Sequence, residues 1–135
     1  MVTAKIIYQG DLRTEATHLK SGKTFITDAP TDNNGKGEAF SPTDTVCGAL
    51  ASCMLTLVGI TANKHGFSVG DMAVEVTKHM VANPRRIGKI EVEITFTGKE
   101  YTEKEKAFMQ TAAINCPVAK SLHPDIEQVV SFNYC

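Results

Sequence analysis

The sequence predicts an α+β fold in a single domain, and three observations carry that reading. An uncharged run from Thr45 to Asn63 lies between strong helix caps. Segments before and after it alternate apolar and polar residues at the two-residue period of strands. A capped helix with one apolar side then follows the clearest of those strands. The resulting order is three strands, a long helix, two strands, two helices and a strand (β3-α-β2-α2-β), with a mostly antiparallel sheet. A chain of 135 residues is long enough to bury about two thirds of the surface it exposes when unfolded.

Ala4–Gln9 reads as the first strand, Gly10-Asp11 as its turn and Leu12–Leu19 as its hairpin partner. Lys23–Thr27 forms a third strand after the Ser21-Gly22 turn, and residues 28–38 form a polar loop rich in turn formers. The long helix is capped by Ser41, with Pro42 in its first turn and Asp44 in the acid position of a capping box. It ends on Lys64, His65 and Gly66, cations near the carbonyl end followed by a left-handed cap. Small and apolar residues occupy every side of this helix, so burial on every side is expected. A membrane span is disfavoured because Gly48, Ser52, Thr56, Gly59, Thr61 and Asn63 dilute the run below what a bilayer requires. Complete cover is hard to supply from one small chain, and a second copy is the economical source of it.

Residues 68–80 return to strand pattern, Asn83-Pro84 marks a turn, and Arg86–Thr97 is the clearest strand. Its apolar face carries Ile87, Ile90, Val92, Ile94 and Phe96. Thr102 caps the second helix with Glu105 completing the box, and Asn115-Cys116-Pro117 breaks it. A short helix over Pro117–Leu122 and a last strand over Ile126–Tyr134 complete the chain.

The net charge of −1 and the absence of a basic run argue against nucleic acid or an acidic membrane as the main partner. No secretory leader is read after Met1, so a reducing, cytoplasmic setting is expected. A disulfide there is more often catalytic than structural. The cysteines are Cys47, Cys53, Cys116 and Cys135, without C-x-x-C or zinc spacing, so metal binding falls away and no cofactor is expected. Cys47 and Cys53 lie about 120° apart around a helix and cannot easily bond to each other.

Cys116 precedes Pro117 at a helix start, where amide hydrogens and the helix dipole favour a thiolate, so local electrostatics favours it over Cys53. Cys53 sits in mid-helix among apolar neighbours, which raise a thiol pKa. As a nucleophile it needs a cation from elsewhere: Arg13, Arg85, Arg86, Lys120 or one of the four histidines. On these grounds alone both thiols can equally be inert core residues. Cys47 and Cys135 read as structural or incidental.

Taken together, FSPTDTVCGALASCM around Cys53, NCPVAKSL around Cys116, the YQGDLR start and the element order resemble the OsmC/Ohr family of thiol-dependent peroxidases across essentially the whole chain. The resemblance implies an OsmC-like fold and an intertwined homodimer with two central helices and sites at the subunit boundary. It implies Cys53 as peroxidatic cysteine, Cys116 as resolving cysteine and Arg13 as the guanidinium that holds the thiolate. Asp44 resembles the acidic partner of that arginine, although members specific for organic hydroperoxides carry a Glu one position earlier, where this chain has Thr43. Nine residues along a helix span ~13 Å and half a turn, so Asp44 can take part only through Arg13 or across a dimer interface.

The function implied is reduction of organic hydroperoxides, with an external dithiol as reductant and an apolar pocket built by Met54, Phe67 or Met109. Two other readings stay open at this point: a non-catalytic dimer that binds a small molecule or lipid, and a redox sensor.

Overall fold

The computed structural model describes all 135 residues, Met1–Cys135, with the element order the sequence predicts. The residues fall into two units, Met1–Val46 and Cys47–Cys135.

In the first unit, β1 (Ala4–Gly10), β2 (Arg13–His18) and β3 (Thr24–Asp28) pair antiparallel in the order β1-β2-β3. Asp11 and Leu12, with φ of 53° and 64°, form the two-residue turn between β1 and β2. Positive φ at both positions is the hairpin turn whose twist suits flanking strands. A leucine there is strained by ~1–2 kcal/mol. The turn is held by Leu12 N donating to the Tyr8 hydroxyl (3.2 Å) and Ala29 N donating to the Leu12 carbonyl (3.1 Å). Asp28 closes β3 rather than opening the following loop, and that loop carries a short 3₁₀ turn, Thr31–Asn33, that the sequence reading does not contain.

Helix α1 (Pro42–His65) starts at the end of the first unit and runs on as the first element of the second. Its expected burial on every side is not met within one chain. Cys47, Leu50, Ala51, Met54, Val58 and Ala62 form a buried stripe, whereas Ala49, Ser52, Thr56 and Ile60 face solvent. The stripe is hidden in the sequence because the exposed side is also small or apolar. By length and composition alone α1 could cross a membrane, but Leu50, Met54 and Val58 are fully buried members of the protein core.

That core is built on β4 (Asp71–Val81), β5 (Arg86–Thr97) and β6 (Glu127–Tyr134), with β5 central. Ile90, Val92, Ile94 and Phe96 of β5 meet Leu50, Met54 and Val58 of α1 and Met109 and Ala113 of α2 (Glu103–Ile114) in one apolar cluster. β4 and β5 pair antiparallel but β5 and β6 pair parallel, so three of the four strand pairings are antiparallel. Parallel neighbours need a crossover, and α2 with α3 (Pro117–Ser121) supplies it. Thr102 and Glu105 close the expected capping box at the start of α2.

A bulge explains how Ile87 shares a face with Ile90 despite odd spacing. Lys89 pairs with His79 and Ile87 with Met80, so Gly88 is an extra residue that flips the strand's phase. A Cβ on Gly88 would lie 2.5 Å from Val81 Cγ1, 3.1 Å from Cγ2 and 3.3 Å from Cβ. Rotating the valine therefore does not clear it. Gly88→Ala should cost about 1–3 kcal/mol in denaturant unfolding, and Val81→Ala in the same chain should recover most of that loss. An unchanged midpoint for Gly88→Ala would contradict this geometry.

Candidate functional site

Two thiols distant in the sequence meet in the second unit. Cys53 is half-buried on α1, and its thiol lies close enough to that of Cys116 to influence its protonation. Cys116 is brought there by the way α2 ends. Asn115 Nδ2 donates to the Thr111 carbonyl (2.9 Å) and Cys116 N to the Ala113 carbonyl (3.3 Å), turning the chain. Pro117 then opens α3 with Cys116 as N-cap, its Sγ accepting from Ala119 N at 3.4 Å. Gln128 Nε2 donates to the Ala119 carbonyl (3.1 Å), tying α3 to β6.

The local dipole argument for Cys116 is overturned. Complete burial pushes its thiol up, and the hydrogen bond and charge of Cys53 push it further. Amide hydrogen bonds from Ala119 and Val118 pull the other way and lose. A five-residue helix offers little dipole, whereas full burial strips the thiolate of water. Cys116 therefore favours its protonated form, and its S–H can donate to Cys53.

Three of the candidate cations of the second unit are engaged elsewhere. Arg86 Nη1 donates to the carbonyls of Ala82 and Pro84, His79 pairs with Glu91 at 2.6 Å, and His65 stacks on Phe108 at 3.8 Å between ring centroids. Met54 and Met109 have no exposed surface, so they fill the core and do not line an open pocket. Phe67 lines a surface cavity with His65, Thr102, Lys104, Glu105 and Phe108. Cys47 is buried in the core and Cys135 is exposed after β6.

In the first unit Arg13 is gripped by carboxylates that the sequence reading does not single out. Its Nε and Nη2 donate to the two oxygens of Asp28 at 2.7 and 2.8 Å, and Nη2 also donates to Glu38 Oε1 at 3.0 Å. Asp28 is 1% exposed and accepts a third hydrogen bond from Glu38 N at 3.1 Å. The Arg13 guanidinium and this amide hold its carboxyl below the usual carboxylate range. The observed β2–β3 register pairs Arg13 directly with Asp28 and is centred on Lys20-Ser21; a two-residue turn at Ser21-Gly22, as read from the sequence, sets Arg13 opposite Pro30 instead. Asp44 sits in a capping box with Ser41: Ser41 N donates to Asp44 Oδ2 (2.9 Å) and Asp44 N to Ser41 Oγ (3.1 Å).

A depressed carboxyl pKa stabilises the fold above the unfolded value of about 3.9 and loses that effect as pH falls through the folded value. Asp28→Asn should therefore lower the midpoint of denaturant unfolding at pH 7 and lower it progressively less as pH falls below about 4. A deficit that stays constant across this range would show that the ionised carboxylate is not what Asp28 contributes.

Comparison with known proteins agrees with this architecture. The family model described as OsmC-like protein matches residues 35–130. A solved structure from Psychrobacter arcticus 273-4, titled as a proposed osmotic stress induced and detoxification response protein, is 51% identical, with a TM-score of 0.94 over 98% of this chain and 96% of that one. An organic hydroperoxide resistance protein OsmC from Legionella pneumophila superposes with a TM-score of 0.77 at 16% identity, covering 98% of each chain. One from Elizabethkingia anophelis gives 0.76 at 14% identity, over 100% of this chain and 98% of that chain. At those identities the two share the fold. No protein of curated function matches the sequence. The matched family model, with more than half of the chain under it, shows that this protein belongs to the OsmC-like family.

Proposed function

We propose that the protein is a thiol peroxidase that reduces organic hydroperoxides, with Cys53 as nucleophile and Cys116 as resolving thiol. The observation that carries this reading is the proximity of these two thiols, with burial pushing the Cys116 thiol pKa up. Membership of the OsmC-like family supports a role in peroxide stress, as do structural neighbours called organic hydroperoxide resistance proteins.

The chemistry balances with the groups present and one external reductant. The Cys53 thiolate attacks one oxygen of the hydroperoxide, the O–O bond breaks, and Cys53 becomes a sulfenic acid. The departing alkoxide takes a proton from the Cys116 S–H or from water and leaves as the alcohol. The Cys116 thiolate attacks the sulfur of the sulfenic acid, a disulfide forms and hydroxide is expelled. A dithiol then reduces the disulfide by exchange and is itself oxidised. Arg13 is assigned as the cation that favours the Cys53 thiolate, in keeping with the resemblance of the YQGDLR segment and the need of such a thiol for positive charge. Asp44 is retained as a candidate partner of that arginine in addition to its capping role.

The working unit is proposed to be a homodimer in a reducing, cytoplasmic setting. Two surfaces support the assembly. Helix α1 leaves the uncharged Ala49, Ser52, Thr56 and Ile60 uncovered. The β1-β2-β3 sheet exposes Ile6, Tyr8 and Phe25 on one face, each more than half accessible, and Ile7 on the other. Apolar side chains on both faces of a thin sheet call for cover.

The complete burial of Cys116 also suits a binding protein whose thiols are inert, and one experiment separates the two. Reduced protein is mixed with about one equivalent of an alkyl hydroperoxide and free thiols are counted. Wild type should lose two thiols far faster than free cysteine reacts, Cys116→Ser should give a trappable sulfenate, and Cys53→Ser should stay silent. Slow and equal oxidation of all three would overturn the peroxidase assignment. Oxidation without turnover on added dithiol would make the protein a sensor instead.

A further inference from the structure

Arg13 is shared between two carboxylates, with Lys36 the other cation whose charge reaches Asp28. One guanidinium meets two carboxylates, Asp28 and Glu38, so the trio carries a net charge of −1. The two acids are held in contrasting ways. Asp28 is buried, grips both Nε and Nη2, and is pinned by the Glu38 amide. The Glu38 side chain is 66% exposed, makes one hydrogen bond, and shares Nη2 with Asp28. The backbone next to Arg13 is held just as firmly, since Asp11 and Leu12 are kept at positive φ by hydrogen bonds from Ala29 and to Tyr8. Non-glycine residues persist in such conformations only where their surroundings over-determine them, and they concentrate at functional sites.

We infer that Asp28 and Glu38 act in opposition: Asp28 is the positioning residue that fixes the Arg13 fork, and Glu38 is a competing anion whose release frees Arg13 Nη2 for another negative group. This rests on the assignment of Arg13 as the cation for Cys53. Both acids lower the net charge around Arg13 equally, so charge alone predicts that neutralising either one makes Cys53 more reactive. Positioning predicts the opposite sign for Asp28. A bidentate guanidinium that loses its buried anchor loses its orientation as well as an ion pair. Losing an exposed, singly bonded partner removes only a competitor.

The test follows the rate at which iodoacetamide alkylates Cys53 against pH, read on the Cys53 peptide by mass spectrometry. Wild type, Arg13→Gln, Asp28→Asn, Asp28→Glu and Glu38→Gln are compared, all first reduced. Glu38→Gln should speed alkylation near neutral pH by about threefold or more, moving the profile to lower pH. Asp28→Asn and the charge-conserving Asp28→Glu should both slow it by about three- to tenfold, where tenfold corresponds to one pKa unit. Alkylation of the fully buried Cys116 in the same digests reports any variant that has unfolded, and Asp28→Glu then carries the test if Asp28→Asn has done so. Asp28 and Glu38 variants shifting the same way, or a neutral effect of either, would overturn the division of roles. An unchanged profile in Arg13→Gln would instead remove Arg13 from the thiol chemistry, a failure of the underlying assignment that the other variants do not mimic.

Discussion

The proximity of the Cys53 and Cys116 thiols is the constraint on which the rest of the second unit depends for its meaning. It exists because β5 and β6 run parallel, which forces a long crossover between them. That crossover cannot be a hairpin, and the two helices that fill it need a break between them. The break is Asn115-Cys116-Pro117, and its placement against α1 turns a helix junction into half of a dithiol. The apolar cluster of α1, β5 and α2 fixes the two halves from beneath, with Met54 and Met109 filling space.

Burial sets the direction of the chemistry. A thiol at a helix N-terminus is normally read as the reactive one, because amide hydrogens stabilise its anion. Here the helix is one turn long and the sulfur has no contact with water, so desolvation dominates. A buried thiol with a raised pKa beside a half-exposed one is the arrangement on which the proposed roles of donor and nucleophile rest. The first unit shows a parallel use of burial: Asp28, almost fully enclosed, is kept charged by the guanidinium it grips, which makes it an anchor rather than a liability.

Much of the fold was legible where local and tertiary forces agree. β5 was read with its observed ends because its alternation records a strand buried on one face, and the Thr102–Glu105 box fixed the start of α2. Legibility failed where the deciding partner is remote. The one-sided burial of α1 left no trace, since its exposed side is as uncharged as its buried stripe. The parallel β5–β6 pairing is a property of the crossover rather than of either strand. At the site, the motifs around Cys53 and Cys116 pointed to the thiols, but not to the raised pKa of Cys116, because that follows from burial. Asp28 was taken as the first residue of a polar loop, although the β2–β3 register places it opposite Arg13.

The central claim is that Cys53 and Cys116 of one chain form the redox couple, and a peptide map of the oxidised protein tests it most directly. The protein is treated with one equivalent of an alkyl hydroperoxide, alkylated and digested without reductant, starting from a mixture of isotopically light and heavy chains. The account predicts one new linked peptide pair joining Cys53 to Cys116, with both partners from the same isotopic chain. Linkage through Cys47 or Cys135, mixed light–heavy pairs, or four cysteines that remain unlinked while peroxide is consumed would contradict it.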